Sequence, residues 1–160
     1  MGLDPKQFEK YVLKPTLEYL HPEVPYTENG HAITFETIWH ESDGLTYIRQ
    51  QNDGPAMGLG QMERLTWDDM MRRYIPTKSN LWSKVYSLST RSGPTFEELA
   101  WNLRLSVALT RIRYLPDPHP IPAGLVARAA MWFRVYNASG VPERQRQYID
   151  HPTRLYKCLK

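Results

Sequence analysis

Proline punctuates this chain so often that it breaks most of it into short pieces. Thirteen of the 160 residues are Pro. Each one fixes φ and removes a backbone donor. A fold assembled largely from short elements is therefore expected. Pro15 falls inside an amphipathic stretch from Asp4 to Leu20 with Phe8, Tyr11, Val12 and Leu17 spaced to face inward, so a helix bent near Pro15 is expected. Pro76 ends a helix expected from Thr66, whose Asp69 three residues on resembles a capping box, through about Tyr74. Pro116, Pro118, Pro120 and Pro122 enforce an extended connection.

Between these stops the periodicity is helical. Ala32, Phe35, Ile38, Trp39 and Ser42 share one stripe, which predicts a helix over residues 31–43 stopped by Gly44. Residues 81–88 form a short helix. Thr95 with Glu98 predicts the start of a longer one, Phe96 to Leu115, with Leu99, Leu103, Val107 and Ala108 inward. Gly124 to Asn137 and Pro142 to Ile149 complete the helical set. Leu45 to Gln50 is the strand expected, centred on Tyr47-Ile48 and followed by a turn at Asn52-Asp53-Gly54. The fold class is α+β, mostly α, with a small β element after the helix that carries Glu41. No internal repeat or linker divides the chain, so residues 1–160 read as a single domain.

Composition narrows the function classes. A hydrophobic fraction of 41%, five Trp and ten Tyr indicate a packed core rather than disorder. No apolar run is long enough for a transmembrane helix, and the first residues carry no secretion signal. The lone Cys158 leaves no internal disulfide and no multi-cysteine metal site. The net charge of +3 suits an anionic surface. The scattered basic residues give no specific nucleic-acid footprint.

Glu41 is the candidate for chemistry. It stands at the end of an apolar helix beside Ile38 and Trp39, where desolvation disfavours the charged form and raises a carboxyl pKa. A general acid near neutral pH requires that state. The alternative is a solvated carboxylate at a helix end. Downstream, Gly54-Pro55-Ala56-Met57-Gly58-Leu59-Gly60-Gln61-Met62 is a turn whose glycines permit positive φ or close backbone approach. It lacks the Gly-Lys-Ser/Thr of a phosphate loop. His40-Glu41 does not begin a zinc-protease motif, because position 44 is Gly. The five His are dispersed, and no cofactor or metal is expected.

Glu41-Ser42, the Ala56 to Met62 segment with Thr66-Trp67 beyond it, and Tyr136-Asn137 with Gly140 nearby occur in the order of the lytic transglycosylase motifs. Over roughly residues 32–140 the chain resembles the soluble-type, lysozyme-like lytic transglycosylases, and more narrowly those encoded by bacteriophages. Two departures stand out. Pro55 replaces the Gly that precedes Ala, and Gly140 lies one place further from Tyr136-Asn137 than the pattern has it.

The resemblance implies a lysozyme-like fold and cleavage of the β-1,4 bond between N-acetylmuramic acid and N-acetylglucosamine in peptidoglycan. Glu41 would be acid and then base. Ser42 would orient Glu41 or the substrate, Met57 and Gln61 would line the cleft, and Gly58 and Leu59 would shape it. Tyr136 would hold Glu41 in place, with Asn137 supporting the same wall. Peptidoglycan strands are the implied partner, with other virion proteins as a further one. The implied location is a virion or the host cytoplasm, with delivery to the periplasmic wall. Asp43 and Asp53 are the candidates for a second carboxylate, in which case hydrolysis as in goose-type lysozyme follows. A third expectation is an inactive lysozyme-like virion structural or adaptor protein, and a weaker one is a lectin-like module that binds wall saccharide without cleaving it.

Overall fold

A computed structural model describes residues 2–137 and 141–160, so the stretch Ala138-Ser139-Gly140 of the third motif lies outside the described residues. The chain is mostly helical: α1 (Pro5–Phe8), α2 (Lys14–Leu20), α3 (Glu28–Glu41), α4 (Arg64–Asp69), α5 (Ser79–Leu88), α6 (Leu103–Ile112), α7 (Leu125–Trp132) and α8 (Pro142–Leu159). Pro15 shapes the first of these. Upstream of it the helix widens into a π segment, Glu9–Leu13, where the Lys14 amide reaches back to the Glu9 carbonyl. The Thr16 hydroxyl donates to the Val12 carbonyl at 2.7 Å, satisfying an acceptor next to the missing amide. Phe8 and Leu17 are buried as the spacing predicts, whereas Tyr11 is exposed and Leu13 takes the inward place. The wider π turn moves the register by one residue.

Helix α3 is the centre of the molecule. It begins at Glu28, three residues before the expected start, because the Thr27 hydroxyl caps it by accepting the Gly30 amide at 3.0 Å. Ile33 to Ile38 are all buried, since α6, α7 and α8 pack around this helix. Two of its polar side chains are satisfied inside the core. Thr37 shares a 2.7 Å hydrogen bond with the Tyr114 hydroxyl. Glu36, fully buried, receives Arg128 of α7 through Nε at 2.8 Å and Nη2 at 2.6 Å. Tyr156 of α8 donates to the same carboxylate.

The strand expected at Leu45–Gln50 is absent. Leu45 takes φ 61°, Asn52 58° and Asp53 56°, and these left-handed residues curl the segment. What remains of the β element is two isolated antiparallel bridges, Arg49 with Met57 and Met57 with Met62. Tyr47 and Ile48 are exposed, so their β propensity finds no sheet to join. Both expected capping boxes also fail. Helix α4 starts at Arg64 and not at Thr66. Glu98 lies in a 3₁₀ turn, Glu97–Ala100, and accepts from the Thr90 amide, the Ser89 hydroxyl and the Asn102 amide group. Asn102 caps α6 instead, accepting the Leu105 amide at 3.0 Å. Helix α8 runs ten residues past the expected end at Ile149, to Leu159, with Pro152 inside it.

Candidate active site

Glu41 is the last residue of α3, and the backbone turns away from it at once. The Ser42 hydroxyl donates to the Ile38 carbonyl at 2.7 Å and accepts the Leu45 amide at 2.9 Å. Asp43, Gly44 and Leu45 follow with φ 47°, 69° and 61°. Two left-handed non-glycine residues so close together store strain of the kind found at functional sites. Ser42 is buried and both functions of its hydroxyl serve this turn, so its contribution to Glu41 is made through the backbone.

The second motif packs over the same corner. Gly58 adopts φ 77°, and a Cβ there would meet Ser106 Oγ at 2.7 Å. Gly60 is required for a different reason: a Cβ would stand 2.1 Å from Thr110 Oγ1 and 2.6 Å from the Tyr136 hydroxyl oxygen. Gly60→Ala is therefore expected to destabilise the protein by about 1–3 kcal/mol, the usual cost of overpacking. Thermal unfolding of the variant checks this. Leu59 is buried in the apolar cluster of Ile38 and Leu45, and Met57 packs against a second cluster that holds Met62 and Leu99. Gln61, at φ 45°, folds its side-chain amide onto the Gly58 carbonyl at 2.8 Å and presents the rest of itself to the cleft.

The third motif arrives on a π segment, Phe133–Asn137, at the end of α7. Such a wide turn re-aims the side chains that follow it. The Tyr136 hydroxyl donates to the Gly60 carbonyl at 2.6 Å, pinning the glycine turn. Its ring stacks on Tyr114 at 5.7 Å and lies under the Arg113 guanidinium at 4.8 Å. Burial, and then the charge of nearby Glu41, raise its hydroxyl pKa. The hydrogen bond to Glu41 comes from elsewhere: Trp132 Nε1 donates to Oε1 at 3.1 Å. Behind the indole stands His40, edge-on at 4.8 Å, its pKa lowered to about 4, mainly by burial. His40 is thus held in its neutral form near physiological pH.

Glu41 borders two adjoining depressions. One, of about 190 Å³, has Tyr136, Asn137, Thr66 and Glu63 on its walls, with Arg113 and Arg144. The other, of about 230 Å³, has Asp43, Tyr47 and Gln51. Gln50 and Gln61 belong to both, so Glu41 sits between two halves of one groove. Together they reach the lower part of the range for ligand sites. Burial raises the Glu41 carboxyl from 4.5 to about 7, against the opposing pull of the Trp132 hydrogen bond and the Arg144 and Arg113 charges. A group poised there can donate a proton and take one back. Trp132→Phe removes the hydrogen bond that favours the carboxylate, so the alkaline limb of any Glu41-dependent activity is expected to move to higher pH. A pH–rate profile measures it.

Of the residues expected at the site, Glu41, Gln61, Tyr136 and Asn137 come together in the depression of about 190 Å³, and Asp43 lies in the one of about 230 Å³. Ser42, Met57, Gly58 and Leu59 support it from behind. Asp53 is exposed, pairs with Arg49 at 3.7 Å and borders neither depression. Trp132, Arg113, Arg144 and Glu63 were not expected. Trp132 carried a local signal, one helical turn before Tyr136, and Glu63 follows Gln61 by two residues. The two arginines offered none. Among the described residues no group of three His, Cys, Asp or Glu is placed to hold a metal ion, and no helix is long and apolar enough to cross a membrane. Comparison with family models, curated proteins and solved structures finds no match.

Proposed function

We propose that this chain is a lysozyme-like lytic transglycosylase that cleaves the β-1,4 bond between N-acetylmuramic acid and N-acetylglucosamine in peptidoglycan. The observation that carries the reading is Glu41, raised to about 7 and set between two halves of a groove. The order of the three sequence motifs supports it, since each contributes to the walls or the backing of that groove.

In this reading the protonated Glu41 gives its proton to the glycosidic oxygen as the bond to the muramyl C1 breaks, and the departing sugar leaves as an alcohol. The carboxylate then takes the proton from the muramyl O6 hydroxyl while O6 closes on C1. Glu41 ends protonated and the product is a 1,6-anhydro sugar, with no water consumed. Arg113 and Arg144 favour the carboxylate between the two steps and burial favours the acid, so neither form is a trap. The proposed setting is a phage particle or infected cell acting on the bacterial wall.

A second reading, hydrolysis, is favoured by one observation: Asp43 and Glu63 border the same groove as Glu41. Two-carboxylate glycosidases use such a partner to activate water or attack the sugar. Mass spectrometry of digested sacculi separates the readings. Transglycosylation gives anhydromuropeptides, one water lighter than the reducing ends of hydrolysis. Intact sacculi, with wild-type protein folded and binding no glycan, would instead support a structural or adaptor protein. Intact sacculi with glycan bound would support a lectin-like module.

A further inference from the structure

Arg111 is as deeply buried as Arg128 but has no comparable partner. It lies on α6 at 5% exposure. Its hydrogen bond, from Nη2 to the Pro25 carbonyl, is 3.5 Å long. Among the described residues no carboxylate forms an ion pair with it, whereas Arg128 is held bidentately by Glu36. Burial depresses its pKa to about 10. A desolvated guanidinium without an anion is an unstable arrangement that an incoming anion relieves.

Its surroundings add to this. The guanidinium lies against the first turn of α3, since a Cβ on Gly30 would stand 3.2 Å from Arg111 Nε and 3.4 Å from Nη2. The positive end of the α3 dipole and the positive side chain thus converge. Glu28, the acidic residue of that turn, is exposed and forms no ion pair with Arg111 among the described residues. Arg111 also borders a cavity of about 420 Å³ whose apolar surface comes from Pro25, Leu115 and Ile121. That volume falls within the range of small-molecule sites. The acidic group on its wall, Asp117, is already engaged by Arg134 at 2.9 Å and His119 at 2.8 Å.

We propose that this cavity binds a small ligand carrying an oxyanion on a compact apolar body, with the oxyanion on Arg111 and the body against Leu115 and Ile121. A carboxylate and a phosphate share the required chemistry, since the fork of a guanidinium matches both. The site is separate from the Glu41 groove and does not rest on the proposed glycan activity.

Calorimetry with inorganic phosphate, phenyl phosphate and benzoate tests it on the whole chain. Phenyl phosphate or benzoate is expected to bind about tenfold more tightly than inorganic phosphate, one factor of ten being about 1.4 kcal/mol. The stronger of the two organic probes identifies the head group. Arg111→Lys is expected to weaken binding about tenfold or more, through loss of the bidentate contact. Ile121→Trp, which fills the cavity from its rim, should remove the advantage of the organic probes and also decides the matter if Arg111→Lys does not fold. Glu41→Gln should bind the probes as the wild type does. No binding at millimolar concentration, or binding unchanged in both Arg111→Lys and Ile121→Trp, would overturn the proposal.

Discussion

Glu41→Gln is expected to reduce the release of soluble fragments from sacculi by about 10²–10⁴-fold, the usual contribution of a general acid–base group. Gln keeps the volume and can still accept the Trp132 indole hydrogen bond, but it has no proton to give. The same substitution has a thermodynamic signature. The folded Glu41 carboxyl is raised to about 7 from an ordinary 4.5, so between these values the folded state holds a proton that the unfolded state has lost. Stability therefore falls as pH rises through this window and then stays level. The charged form costs at most roughly 3 kcal/mol above pH 7 and little below pH 4.5. Glu41→Gln should accordingly melt at a higher temperature than wild type at pH 8, with the difference vanishing near pH 4. Loss of activity together with alkaline stabilisation separates removal of a buried acid from general damage to the fold.

The second large effect concerns the helix that carries the acid. Arg128→Met leaves Glu36 buried without its bidentate partner, and removing one member of such a pair costs about 3–5 kcal/mol. For a chain of this size that lowers the melting temperature by roughly 10 °C. The double variant Glu36→Met with Arg128→Met should be more stable than Arg128→Met alone, because no uncompensated charge remains. Glu36 lies five residues before Glu41 on α3 and ties that helix to α7, which supplies Trp132, and to α8 through Tyr156. A protein that melts early for this reason should lose activity in proportion to its folded fraction and no further. A unfolding curve for each variant, set beside its rate on sacculi, checks both statements.

What the amino-acid order reveals here is local. The apolar run Ile38-Trp39 before Glu41 predicts a desolvated carboxyl, and the carboxyl is buried. Ile38 and Trp39, however, belong to a cluster with Phe8 and Leu17, and the groups beside the carboxyl include Trp132 and Tyr136 from α7 and its extension. Gly58 and Gly60 announce a turn that needs positive φ or close approach, and one residue meets each need. The hydrogen bond that orients Glu41 is not legible in this way, because Trp132 lies 91 residues downstream and reaches the site through packing of α7 on α3. Arg113, the residue that follows α6, and Arg144 of α8 converge on the cleft for the same reason.

The misread segments follow a related rule. Tyr47-Ile48 carries strand propensity, but strand formation needs a partner, and the left-handed residues at 45, 52 and 53 prevent a regular pairing. Thr95 with Glu98 has the spacing of a capping box. Glu98 instead serves the 89–90 loop and Asn102, partners that no short window contains. The π segments are likewise a consequence of packing and of Pro15, and one of them decides where Tyr136 and Asn137 point.

The central claim is that Glu41 holds its proton near neutral pH in a groove open to a glycan. Titration of its carboxyl by carbon-detected NMR in the folded protein tests this most directly, with the Glu41→Gln spectrum fixing the assignment. The account predicts a midpoint close to 7. A midpoint near the ordinary 4.5 would contradict it, since such a carboxyl is ionised when the proton is needed.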